Sequence, residues 1–518
     1  MTSWERICFI FPGIDPIYAQ SNIMIINIFK FREKYSKNIF EFREKSDVYI
    51  LKIRDIIMII KDEMEKVCMI FKRKVYDKLL EWKKLSAGMS AVLLEGARRI
   101  GKSTIVEEFA KNEYDDYMIL DFAKENKDIR NNFVENMDDL DTFFRNLFLL
   151  KGRSLKGKKC VLIFDEVQLF PQARQAIKYL VADGRYEYIE TGSLISIRKN
   201  VKDILIPSEE YRIKMYPMDF EEYLWAIGDT ITYSAIKDAF KRRKPLGDAI
   251  HRNTMKHFRT YMAVGGMPQA VDGLVNGKTF AQIDFIKRNI LNLYEEDLAK
   301  YDNENKEKAS VIYRTIPKQL ENKNSHFKFS LVDKNARYKN YVDAVSFISE
   351  SMIGNECINV TKPEIALELF SDRSNFKLYM GDTGLLVTQI MKNSEETDDN
   401  LYKALIIDNL GINQGMIMEN MVAQMLKVSG HELYFHEYLY TPEGTEKEKK
   451  YEIDFMTVKR KKICPIEVKS SNYKSHKSFD YLIKKYQLKM EDRYIIYTKD
   501  LKYEDGIMYI PLYMTMLI

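Results

Sequence analysis

The chain has 518 residues, 81 lysines and arginines against 76 aspartates and glutamates, and a formal net charge of +5. This length supports roughly two to four domains with full hydrophobic cores, and the charge balance excludes a uniformly basic nucleic-acid binder, so any basic surface must be local. Its five cysteines are isolated and stand at no zinc spacing with the six histidines, apolar stretches such as 21–29 and 56–60 are too short to span a bilayer, and no signal-peptide pattern opens the chain; a reducing cytoplasm, no structural zinc and no membrane are expected.

Residues 1–68 read as an N-terminal extension to which no role attaches. From Met69 the pattern changes, and Phe71 to Trp82 places apolar residues at helical spacing. The apolar run Ala91 to Leu94 predicts a strand, followed by Gly96-Ala97-Arg98-Arg99-Ile100-Gly101-Lys102-Ser103. That is a complete G-x-x-x-x-G-K-S phosphate-binding loop: the glycines let backbone N–H groups turn around an anion, Lys102 reaches the β- and γ-phosphates, and Ser103 offers a hydroxyl to Mg²⁺. Thr104 to Ala110 reads as a helix whose N-terminus faces the phosphates.

Cys160 to Glu166 is an apolar strand ending in adjacent carboxylates, the second half an ATPase site requires. Asp165 would hold the Mg²⁺ shell and Glu166 would polarise the attacking water. Glu187 to Ser193 predicts a further strand ending in small polar residues, with Ser193 placed to sense a γ-phosphate. Strands and helices alternate over 69–225, the pattern of a parallel α/β sheet with ligand at the carboxyl ends of its strands. Pro217 marks a turn before a helix at Glu221 to Trp225, and 226–300 is mostly helical, broken at Val264-Gly265-Gly266-Met267-Pro268; a helical lid fits this stretch.

Over 301–400, short helices and strand-like pieces admit two readings, a winged helix-turn-helix or a plain helical linker. In 401–518, Ile417, Met418, Met421, Val422 and Met425 form one apolar helical stripe with Glu419 on its flank. Tyr451 to Phe455 and Ile463 to Lys469 predict a hairpin across Lys459 to Lys462, bringing Asp454 near Glu467 and Lys469. Two carboxylates for a divalent metal and a lysine to orient water is one reading, with Glu419 as a third carboxylate. Outward residues of a half-buried hairpin, joined by cross-strand ion pairs, is the other.

Together these segments resemble a large group of bacterial and archaeal AAA+ ATPases whose C-terminal region, of uncharacterised function, ends in a restriction-endonuclease-like PD-(D/E)xK fold. The resemblance covers about 69–518. It is carried by Gly96 to Ser103, Leu162 to Gln168, Thr191-Gly192-Ser193, Pro217 with Phe220 and Glu222, Gly265 to Pro268, Lys377 to Leu386, Glu419-Asn420, Glu452 to Phe455 and Pro465 to Ser470. It implies an α/β chain: a P-loop AAA+ parallel-sheet core (69–225), a helical lid (226–300), a winged-helix-like segment (301–400) and a small α/β endonuclease-like domain (401–518). It also implies ATP and Mg²⁺ as cofactors, Ser193 as sensor, and Glu419, Asp454, Glu467 and Lys469 as a nuclease-type metal site. Arg212 sits where the family has an arginine before Pro-x-x-Phe, here after Tyr211 where glycine is usual. In that role it would contact a γ-phosphate in its own or a neighbouring subunit, which makes a homo-oligomer a candidate, and the nuclease-like end makes DNA a candidate partner. The implied function is ATP hydrolysis that switches or drives the C-terminal module, with an ATP-regulated nuclease or a nucleotide-gated scaffold as alternatives. The Lys377 to Leu386 motif carries no derivable catalytic chemistry; its glycines suggest turns and Asp382 a helix cap.

Overall fold

The computed structural model describes residues 70–192, 208–302, 307–321, 326–391, 402, 414–470, 473, 476–488 and 492–518. The extension 1–68 and Ser193 therefore lie outside the described residues. Among the described residues no helix is long and apolar enough to cross a membrane.

Helix α1 (Val75–Leu85) buries Val75, Leu79 and Trp82 at spacings of four and three. It starts later than the apolar periodicity suggests, because Arg73 is used elsewhere: its guanidinium donates to the carbonyls of Ile100 at 2.9 Å and Tyr216 at 2.7 Å. Strand β1 (Ala91–Glu95) precedes α2 (Lys102–Glu113), β2 (Asp116–Asp121), α3 (Lys127–Glu135), α4 (Leu140–Lys151), β3 (Cys160–Asp165), α5 (Pro171–Asp183), β4 (Glu187–Gly192) and β5 (Glu210–Lys214). The five strands form one parallel sheet in the order β2-β3-β4-β1-β5. Strands β1 and β3 are buried throughout, as expected for a parallel sheet covered on both faces. Leu93, Phe164 and Tyr188 face a core with Phe122, Phe133 and Phe143. Val92, Leu94 and Ile163 face a second core that continues through the later helices to the C-terminal sheet.

Helix α6 (Phe220–Ala226) is held by a capping box between Asp219 and Glu222. Glu222 also pairs with Arg73 at 3.1 Å, tying the segment before α1 to the start of α6. Helices α7 (Thr232–Arg242), α8 (Asp248–Val264), α9 (Pro268–Val275) and α10 (Phe280–Asp302) follow, with the break at Gly265 and Pro268 where the sequence places it.

Next come α11 (Lys308–Glu321), α12 (Val342–Glu350) and the hairpin β6 (Gly354–Val360) and β7 (Ser371–Met380). This hairpin does not stand alone: β6 pairs in parallel with β8. The chain then runs through α13 (Thr383–Ile390), α14 (Gln414–Val428), β8 (Leu433–Tyr440), β9 (Lys449–Lys459), β10 (Lys462–Val468), α15 (Lys477–Tyr486), β11 (Arg493–Tyr497), β12 (Lys502–Glu504) and β13 (Ile507–Pro511). One mixed sheet results, in the order β12-β13-β11-β10-β9-β8-β6-β7. The expected β9–β10 hairpin is present, in the register Lys462↔Lys459 to Ile466↔Phe455. Its tip, Arg460 and Lys461, takes φ of 49° and 60°, the left-handed pair that matches the twist of a two-residue hairpin turn.

Candidate nucleotide site

The carboxyl ends of β1, β3 and β4 meet at one edge of the parallel sheet, where the topology concentrates ligand-binding loops. A side chain on Gly96 would place its Cβ 2.4 Å from the carbonyl oxygen of Met215, so only glycine lets the loop leave β1 against the strand beside it. Gly101 turns the chain into α2 with φ of 91°, aiming the unpaired N–H groups of the first helical turn at the loop. Ser103 and Thr104 are exposed there, whereas Ala97 and Ile100 are buried as packing residues.

Lys102 is buried and its Nζ donates to the carbonyls of Gly96 at 3.0 Å and Ala97 at 2.9 Å. Burial pushes its ammonium down to about 8, against the pull of Glu166 and Asp165. The Ser103 hydroxyl donates to Asp165 Oδ1 at 2.8 Å, which joins the P-loop to the end of β3. Glu166 follows in the left-handed region with φ of 56°, uncommon for a non-glycine residue and concentrated at functional turns. The Gln168 amide donates to its Oε2.

Thr191 completes this cluster. Its hydroxyl donates to Asp165 Oδ1 and accepts from the backbone N–H of Glu166 at 3.5 Å. The parallel register of β3 and β4, Phe164↔Glu190, puts Thr191 beside Asp165. A hydroxyl two residues before Ser193 was the available signal.

Arg98 leaves the loop sideways to pair with Asp297 at 3.1 Å, and Tyr294 donates to the Arg98 carbonyl at 2.9 Å. Both partners belong to α10, so that helix holds the P-loop from the side. Arg99 is exposed with φ of 68°. Arg212 lies on β5 opposite Leu93, its Nε 3.1 Å from Glu210 and a terminal nitrogen 3.7 Å from Glu95. That arginine belongs to a partly buried cluster with Arg174, which binds Glu210 at 2.6 Å, and with Glu190. Burial, then the charge of Glu210, holds the Glu190 carboxyl well above the usual range.

The donor set fits Mg²⁺ arriving with a nucleotide. Magnesium takes one or two protein oxygens and completes its shell with phosphates and water, and Ser103 with Asp165 supply such a pair.

The C-terminal cluster is built differently. Asp454 accepts the N–H of Val468 at 2.7 Å across the hairpin, and burial, then the charge of Glu419, pushes its carboxyl up. Glu467 is buried, with Lys469 Nζ 2.6 Å from Oε2 and the Ser478 hydroxyl on Oε1. Burial pushes its carboxyl up to about 7. Despite burial, Glu467 holds the Lys469 ammonium above its ordinary value. Glu419 on α14 accepts from Tyr379 and from Lys377 Nζ at 3.1 Å, and the same ammonium lies 2.5 Å from Glu452. Lys377 and Tyr379 come from β7, in the motif to which the sequence attached no chemistry.

Among the described residues no three His, Cys, Asp or Glu side chains converge to hold a metal. Of the residues expected to form a divalent site, Glu419, Asp454 and Glu467 each have an internal donor, and Glu419 and Glu467 carry the chain's own ammonium groups.

Three stretches of the chain match known families. Residues 89–224 match the family described as AAA domain. That stretch of the chain is an AAA-type P-loop domain. Residues 255–396 match one domain of unknown function, DUF8612, and 414–515 match another, DUF4143. The AAA match spans β1 to α6 and so contains the Ser103–Asp165–Thr191 cluster, whereas the C-terminal cluster is divided between the other two. No curated protein matches the chain. A solved structure, the crystal structure of protein VC1899 from Vibrio cholerae, is 11% identical, with 82% of this chain and 95% of that one covered, and has a TM-score of 0.15.

Proposed function

We propose that the AAA domain binds ATP with Mg²⁺ and hydrolyses it to switch or drive the C-terminal module, whose candidate partner is DNA. The observation that carries this reading is the 2.8 Å contact between Ser103 and Asp165 at the mouth of a complete P-loop. Lys102 would neutralise the β- and γ-phosphates, while the N–H groups at the start of α2 hold their oxygens. Bound Mg²⁺ would supply further charge neutralisation on those oxygens, held by Ser103 and Asp165. Glu166 would orient and deprotonate the attacking water, and Thr191 fixes both its backbone and the Asp165 carboxylate.

A continuous set of contacts supports the switching part. Helix α10 touches the P-loop through Asp297 and Tyr294, and its Lys287 donates to the carbonyls of Ala263 at 2.7 Å and Gly384 at 3.1 Å. There two glycine motifs interlock. Asp382 caps α13 by accepting from Leu385 and also accepts from Gly266 at 2.6 Å, while a Cβ on Gly384 would stand 2.4 Å from the Val264 carbonyl oxygen. Asn420 and Gln424 of α14 bond to Met380 and Thr383 just beside that junction.

Titration of the full chain with a fluorescent ATP analogue tests the reading. Lys102→Ala is expected to weaken binding by about 10²-fold or more, the scale of removing a buried charge partner. Equal affinity in wild type and variant contradicts it.

A further inference from the structure

Two basic quartets stand far apart in the sequence. Lys241-Arg242-Arg243-Lys244 closes α7, and Lys459-Arg460-Lys461-Lys462 forms the tip of the β9–β10 hairpin. Each has a local explanation: cations suit a helix C-terminus, and polar residues suit a hairpin tip. Neither explanation accounts for their being placed side by side.

Both quartets are anchored on one pair of residues. Lys459 Nζ lies 3.3 Å from the Tyr494 hydroxyl and 5.8 Å from the centre of the Phe240 ring, immediately before Lys241. Arg243 bonds to Asp492 at 2.8 Å, and Tyr494 bonds to the same carboxylate at 3.3 Å. All of the eight cations except Lys459 are exposed. Arg242 pairs with Asp238 at 2.9 Å, and Arg243 with Asp492. In a chain whose charges otherwise nearly cancel, this is a local basic surface.

Two of the rings between the quartets cover each other, and the third, Tyr503, is exposed with a cation over one face. Phe240 and Tyr494 stack with 7° between their planes, and Arg243 lies 4.5 Å over Tyr503. A reader of single strands presents free ring faces for bases to stack on, whereas this surface presents charge, which suits the phosphate backbone of a duplex.

We propose that residues 241–244 and 459–462 form one surface that receives the backbone of double-stranded DNA without reading its sequence. This deepens the DNA-associated part of the function proposed above and is independent of ATP turnover.

The test is binding of the full chain to a fluorescent 30-base-pair duplex, measured across a salt series. The steep falling line of log affinity against log salt should lose about 0.9 in slope for each phosphate contact removed. Arg242→Glu with Lys244→Glu, and separately Arg460→Glu with Lys461→Glu, should each weaken binding more than tenfold and flatten that slope. ATP-analogue affinity, unchanged in both variants, shows that the chain is folded. Lys334→Glu with Lys339→Glu, an equal charge change on exposed lysines before α12, should have a clearly smaller effect. The proposal is overturned if wild type does not bind the duplex, if only one quartet matters, if the control loses as much as the test variants, or if a single strand of equal length binds more tightly. Loss of DNA binding in both test variants supports the surface even if Lys102→Ala leaves nucleotide binding intact, so the two proposals fail separately.

Discussion

The nucleotide site and the C-terminal cluster are both made of carboxylates and lysines near strand ends, yet they satisfy their charges in opposite ways. Asp165 accepts from the hydroxyls of Ser103 and Thr191, and Lys102 donates to backbone carbonyls. These partners are neutral, and exchanging one for a ligand forfeits about one net hydrogen bond, roughly 1 kcal/mol. Glu419, Glu452 and Glu467 are instead bound by Lys377 and Lys469. Removing an ammonium from such a pair leaves a buried charge uncompensated, at about 3–5 kcal/mol. The lesson is that the same residue types mark a receptive site or a closed one according to whether the counter-cation is part of the chain.

Three substitutions sharpen or break this contrast. Lys377→Met should have the largest effect on stability, lowering it by about 3–5 kcal/mol in chemical denaturation, because Glu419 and Glu452 lose their shared cation. The wild type should gain no thermal stability from millimolar Mn²⁺, whereas the variant should gain several degrees if the vacated carboxylates then accept the ion. A clear Mn²⁺ shift in the wild type would break the comparison. Thr191→Val is expected to cost about 1–3 kcal/mol, since a hydroxyl that serves both Asp165 and the Glu166 backbone disappears from a buried place. It should slow ATP turnover as well, by stopped-assay phosphate release. Ser103→Ala should change stability by less than about 1 kcal/mol, as removal of one half-exposed hydrogen bond does, while making nucleotide affinity insensitive to Mg²⁺. If it destabilised the chain as much as Lys377→Met, the nucleotide site would be as closed as the C-terminal one.

What the sequence showed depended on how local the determinant was. Gly96 to Ser103 and Cys160 to Glu166 are contiguous, and their chemistry follows from residue type and spacing alone. The β9–β10 hairpin was equally legible, because alternation on both sides of Lys459 to Lys462 fixes its register. The contact of Thr191 with Asp165 was not legible, since it needs the parallel register of β3 and β4. Lys377 was unreadable as a partner of Glu419 and Glu452, for it reaches them from a strand 42 and 75 residues away. Gly265 and Gly384 read as separate turns, although each is glycine because the other's segment passes within contact distance, and Gly266 is glycine because Met218 does. Arg212, expected from its position before Pro217 to face a γ-phosphate in its own or a neighbouring subunit, pairs with Glu210 on β5, a contact that residue spacing does not show.

In the proposed function Glu166 is the residue that activates water at the nucleotide site. The decisive measurement is steady-state ATP hydrolysis by the full chain and by Glu166→Gln, with nucleotide affinity determined on the same preparations. Wild type should turn over ATP in the presence of Mg²⁺, and the variant should bind with similar affinity but hydrolyse about 10²–10⁴-fold more slowly, the span of general-base catalysis. Equal turnover in the two proteins contradicts the account, as does the absence of turnover in wild type with Mg²⁺-ATP bound.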